Sequence, residues 1–93
     1  MGKTCISLAE VADIAKAESY KSQFLEAIET GNDIELDASN TIRIDTAVVQ
    51  MILALFLSAK QKQINVSWKA ASETVKRVIY LLGLGKHLAL QDD

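Results

Sequence analysis

Proline is absent from the 93 residues, cysteine and histidine occur once each, and aromatic residues make up 5%. Each shortage removes a class of protein. Without proline there is no polyproline segment or proline-rich linker, and any stretch is free to join a regular element. A lone Cys5 cannot close an internal disulfide, so the framework of a small oxidised domain is excluded and a reducing compartment is expected. Cys5 lies in an apolar neighbourhood and is expected as a small buried hydrophobe. The single histidine, His87, sits between Lys86 and Leu88 near the end of the chain, where a surface or capping position suits it. No metal-ligand spacing, glycine-rich nucleotide loop or base-and-nucleophile pair is visible, so no metal, no cofactor and no enzymatic activity are expected.

A long apolar run is missing too. The longest, from Ala47 to Ala59, is interrupted by Gln50 and Ser58 and falls short of the roughly 20 residues of a membrane span. The chain opens without the apolar core of a secretory leader, and Ile6 stands where a myristoylation signal has Ser or Thr. Gly2-Lys3-Thr4 matches the tail of a phosphate-binding P-loop but lacks its upstream glycine and preceding strand. Basic charge is not in excess: 10 Lys and Arg against 12 Asp and Glu give a net charge of -2, which argues against a nucleic-acid surface. A soluble, cytoplasmic protein is expected, with no nucleic-acid partner and no membrane insertion.

What is present has ordinary globular proportions, 49% hydrophobic and 24% charged. Residues 1–93 are expected to form one small domain around one core. Thr4 to Leu8 alternates as a strand, with a second extended stretch expected around Val11 to Ile14. From about Ala15 to Thr30, Tyr20, Phe24, Leu25, Ala27 and Ile28 recur at helical spacing, and Gly31 then Asn32 stop the helix. Ile34 and Leu36 alternate with charges in a strand ending at Asp37, whose Glu35 and Asp37 mark a solvated face. Ala38 to Ile44 is rich in turn formers and is expected as a loop. A helix then runs from Thr46 to about Lys62, apolar nearly all round, which calls for enclosure by other elements or a partner. Ile64, Val66 and Trp68 mark a further strand. Ser72 is a good N-cap for a last helix that Gly83 ends, followed by a short edge strand or turn and a frayed 91–93. Trp68 and Tyr80 hold apolar-phase positions and are expected in packing. Strands alternating with helices imply a mostly parallel sheet with right-handed crossovers.

Asp45 and Thr46 stand where that greasy helix begins. Local chemistry gives Asp45 as the N-cap, its carboxylate accepting from amides two or three residues on, with Thr46 as a second polar group in the first turn. The same placement permits another reading, a hydroxyl held at the positive end of a helix, where free amides stabilise a phosphoryl group.

The stretch from Ile34 to Trp68, with the later Leu82-Gly83-Leu84, resembles the STAS family, the domain of bacterial anti-sigma-factor antagonists. Leu36-Asp37-Ala38-Ser39 is similar to the family's strand-ending turn, and Ile44-Asp45-Thr46-Ala47 to its helix opening. The resemblance covers roughly residues 30 to 90. It implies a single-domain α/β fold, a mostly parallel sheet of about four strands packed by three or four helices. It further implies that Thr46 corresponds to the residue phosphorylated by a partner kinase, with Asp45 its acidic neighbour, and that the unmodified face binds a kinase or anti-sigma factor. Val11 to Ala17 is similar to a family segment that would bring Asp13 to the same end of the sheet, while Asp37, Ser39, Asn40 and Arg43 would lie on the loop before the helix. Val48 departs from the family's glycine, and a β-branched side chain there would narrow a kinase's approach. Val48 and Val49, exposed beside Thr46, would add apolar contact area. Stand-alone STAS domains are also similar to a constitutive subunit of bacterial lipid-transport ATP-binding-cassette complexes, which docks on the ATPase.

Overall fold

Side-chain alternation decides which way this sheet faces. In the computed structural model, which describes residues 2–90, Ile6, Ile34, Leu36 and Ala38 are buried while Lys3, Cys5 and Ser7 are exposed. The frayed end expected at 91–93 lies outside the described residues. Strands β1 (Lys3–Ser7), β3 (Asp33–Ala38) and β5 (Val66–Ala71) form a parallel sheet in the order β1-β3-β5. The register sets Ile6 beside Leu36 and Leu36 beside Trp68 on the core face, and Cys5 beside Glu35 and Ser67 on the other. The expectation of a buried Cys5 therefore fails on phase: it falls in step with Lys3 and Ser7 on the water-facing side. Glu35 on that side faces Lys3, Oε2 to Nζ at 3.4 Å.

Helices α1 (Ala17–Thr30) and α2 (Thr46–Gln61) are the two crossovers, and right-handed connections put both on the same face of the sheet. Tyr20, Phe24 and Ala27 of α1 and Val48, Val49, Ile52, Leu55 and Ala59 of α2 supply the buried layer. Gly31, in the left-handed region at φ 74°, closes α1, a conformation that costs a residue with a Cβ about 1–2 kcal/mol. Helix α3 (Glu73–Leu81) begins at Ser72, whose hydroxyl accepts from the Val75 amide at 3.2 Å, as the spacing predicts. The segment after Gly83 is turns rather than an edge strand, and it returns Leu88 to the core, where its carbonyl accepts from Trp68 Nε1 at 2.8 Å.

Two departures bear on function. The expected loop from Ala38 to Ile44 ends in a short strand, β4 (Arg43–Ile44), paired in parallel with β2 (Val11–Ala12). The extended stretch expected through Ile14 stops at Ala12, and a 3-10 turn at Ile14–Lys16 leads into α1. Tyr80, expected in packing, is 68% exposed, because Val75 and Ile79 take the inward positions of α3. The architecture is α/β, three helices with a three-stranded parallel sheet and a separate two-stranded pair.

Candidate functional site

Helix α2 starts at a junction of three segments. Pairing of Ala12 with Ile44 brings the residues just beyond each strand within reach, and Asp45 uses that proximity. Its amide donates to the Ala12 carbonyl at 3.0 Å, and its carbonyl accepts from Val48 and Val49 at 3.0 and 3.2 Å, closing the first turn of α2. The carboxylate does something other than the capping expected of it. Asp45 has the extended backbone of an N-cap but makes no side-chain cap bond. Instead Oδ2 accepts from the Ile14 N–H at 3.1 Å, and Oδ1 faces Arg43 Nε at 3.5 Å. The parallel β2–β4 pair brings the Ile14 amide to the carboxylate, which takes it in place of the helix's own amides. Asp45 is thus a tie between the 3-10 turn, β4 and α2.

Thr46, the first residue of α2, is exposed, and its hydroxyl makes no hydrogen bond among the described residues. The opening amides of a helix have no partner within it, so an unpaired hydroxyl and unpaired N–H groups share the positive end of the α2 dipole. Asp13 precedes Ile14 and faces Lys16, Oδ1 to Nζ at 3.5 Å. The β2–β4 pair therefore gathers Asp13, Arg43, Asp45 and Thr46 at one corner. Both ion pairs are partly exposed and contribute about 0–1 kcal/mol each, so they orient side chains more than they stabilise.

Val48 and Val49 do not belong to this surface. Both are 0% exposed, which corrects the expectation that they widen a docking face. It also removes the steric objection raised by Val48: its side chain points into the core, so it cannot narrow access to Thr46. The apolar area comes from residues not singled out in the sequence. Ile14, bonded to Asp45, and Ile42, whose amide donates to the Glu10 carbonyl at 2.8 Å, are each 67% exposed. Ile42 carried a signal, an apolar residue between Thr41 and Arg43 in a turn-rich stretch, whereas Ile14 among alanines carried none.

Ser39 and Asn40 are exposed on the turn after β3. Asp37 shapes that turn, Oδ1 accepting from the Ser39 amide at 3.0 Å. That bond, with the Ser39 side chain and the Lys69 charge adding to it, holds the Asp37 carboxyl below its ordinary value of 3.8. Thr41 fixes the rest of the loop and was also missed: it is buried, its hydroxyl donates to the Ala9 carbonyl at 2.9 Å, and its carbonyl accepts from the Ser72 hydroxyl at 2.6 Å. The sequence-predicted residues therefore form two groups, one around Thr46 and one around Asp37, joined by an anchored loop.

Chemically, the corner offers a free hydroxyl, open helix amides, a fixed carboxylate and two exposed isoleucines, the parts of a recognition surface. No group of three His, Cys, Asp or Glu side chains among the described residues is placed to hold a metal ion. No helix among them is long and apolar enough to cross a membrane. Compared with known proteins, residues 2–92 match the model of a family described as Mlab, STAS domain. No curated protein and no solved structure matches the chain.

Proposed function

The chain belongs to the STAS domain family, and from that premise we propose that it is a protein–protein interaction module of the anti-sigma-factor-antagonist kind. It works without catalysis, as a single domain in a bacterial cytoplasm. Its Thr46 corner docks on a partner kinase or anti-sigma factor, and phosphorylation of Thr46 ends the association. One observation carries this reading: the Thr46 hydroxyl is exposed and unpaired at the start of α2, on a frame that Asp45 holds in place. A phosphoryl group there adds about -1.5 to -2 charges, welcome at a helix N-terminus and repelled by an acidic partner surface. Binding then changes without refolding.

The test is direct. Incubated with the candidate kinase and ATP, the protein should gain one phosphate, located on Thr46 by mass spectrometry and absent from Thr46→Ala. Thr46→Glu should bind the partner at least tenfold more weakly than wild type, and Thr46→Ala should keep its affinity. An unmodified Thr46 under those conditions removes the switch.

A constitutive role, docked on the ATPase of a bacterial lipid-transport ATP-binding-cassette complex, is the second reading. Ile14 and Ile42 favour it, because permanent interfaces are more hydrophobic than transient ones and both side chains are exposed on segments leading to the corner. Purification of the intact complex from the native cell separates the two: an ATPase held at all stages with Thr46 unmodified selects this reading.

A further inference from the structure

Away from Thr46, helices α1 and α2 leave a groove between them whose walls are apolar. Phe24, Leu25 and Ile28 line it from α1, Met51 and Leu55 from α2, and its charged lining residues are Lys21 and Lys62. Among the described residues no carboxylate lines it. Glu26 and Glu29 of α1 instead line a different cleft, toward β1. Helix α1 thus turns acid to one side and a lysine to the other.

The size of the groove limits what fits. The α2 wall from Met51 to Lys62 runs about 16 Å at the rise of an α-helix. Its volume of ≈ 380 Å³ lies at the low end of small-ligand sites, about 300–1,000 Å³. A single hydrocarbon chain, about 4 Å wide at carbon contact distance, lies along that length. Buried hydrocarbon has no use for a cation, whereas an anionic head at the mouth of the groove does. We infer that the α1–α2 groove binds the single chain of a small anionic amphiphile, its carboxylate held by Lys21 or Lys62 and its chain laid along Leu25, Ile28 and Met51.

Titration of the full chain with dodecanoate, below its micelle concentration and followed by amide chemical shifts, tests this. Saturable binding is expected, with shifts concentrated at residues 24–28 and 51–58. The double variant Lys21→Glu, Lys62→Glu should weaken binding at least tenfold with an unchanged melting temperature, since both side chains are exposed. Ala54→Trp, which fills the groove from its lining, should abolish binding. Dodecyltrimethylammonium, with the same chain and the opposite charge, should bind at least tenfold more weakly. The inference is overturned by absent saturation, by shifts centred elsewhere, by equal affinity for the two amphiphiles, or by groove shifts that follow protein concentration alone and so mark a second copy. Should Ala54→Trp fail to fold, the lysine pair and the charge-reversed amphiphile still decide. Thr46 takes no part, so failure here leaves the docking reading intact.

Discussion

Thr41 is the buried polar residue on which the loop before β4 depends, and its two functional groups can be weighed separately. It is 1% exposed, with its hydroxyl bonded to the Ala9 carbonyl at 2.9 Å. Thr41→Val keeps the shape and removes the donor, so it forfeits a part-buried hydrogen bond and leaves the Ala9 carbonyl without that donor, a loss of about 1.5 kcal/mol. Thr41→Ser keeps the donor and removes one methyl, a loss of about 1 kcal/mol. Thr41→Ala removes both, and about 2–3 kcal/mol should go. For a domain of this size the valine change lowers the melting temperature by roughly 6–12 °C. Urea unfolding with an unchanged m-value measures the three losses, and amide exchange locates them. Ile42 and Arg43, whose amides both bond the Glu10 carbonyl, should exchange faster in the valine variant. A valine variant as stable as wild type beside a weakened serine variant would refute the hydrogen bond as the anchor and leave only the methyl.

Three further outcomes are expected. Asp45→Ala should cost about 1–2 kcal/mol and release the Ile14 amide to exchange, while Asp45→Asn keeps an acceptor and most of that protection; an Ile14 amide unmoved by the alanine change would restore Asp45 to a helix cap. Val48→Gly should destabilise by about 3 kcal/mol, from the three buried carbons of the isopropyl group and the lower helix propensity of glycine, without changing modification of Thr46; a loss under about 1 kcal/mol in urea unfolding contradicts the burial. The Asp37 carboxyl, followed by carbon NMR, should titrate with a midpoint below 3.8. Because its folded value is depressed, its contribution to stability is present above 3.8 and fades as pH falls through that lower midpoint, and Asp37→Asn should remove this part of the acid limb.

The elements with long periodic patterns were legible in the sequence. Ile34 and Leu36 against Glu35 and Asp37 name a strand and its wet face, and Ser72 with Val75 names a helix start that the structure makes in the same way. Strand β2 falls within the extended stretch expected from Val11, but its end at Ala12 and the whole of β4 were obscure, because two residues carry no period and their pairing depends on partners some 30 positions apart. The phase of α2 was hidden for the opposite reason: where nearly every residue is apolar, none marks the inside. Thus Val48 and Val49 were expected outside and lie within. Asp45 misled because local chemistry offers a cap, whereas the carboxylate goes to Arg43 and to the Ile14 amide, a donor that only tertiary structure supplies. The family resemblance named Thr46 at the start of α2 but gave no sign that Ile14 and Ile42 are exposed.

The division of labour at Asp45 explains how the proposed switch can act without loosening the fold. Oδ2 holds the Ile14 amide, a charge-assisted bond on a side chain 28% exposed. Oδ1 faces Arg43, whose side chain is 66% exposed, and such a pair contributes about 0–1 kcal/mol. A phosphoryl group on the neighbouring residue would therefore draw Arg43 to itself at little loss, since the contact it breaks is the weak one. The Ile14 bond has no reason to follow, because a backbone amide fixed between β2 and the 3-10 turn cannot swing toward Thr46 as a long guanidinium can. Surface charge changes while the tie stays, which is what a docking corner needs if it is to release a partner and remain folded.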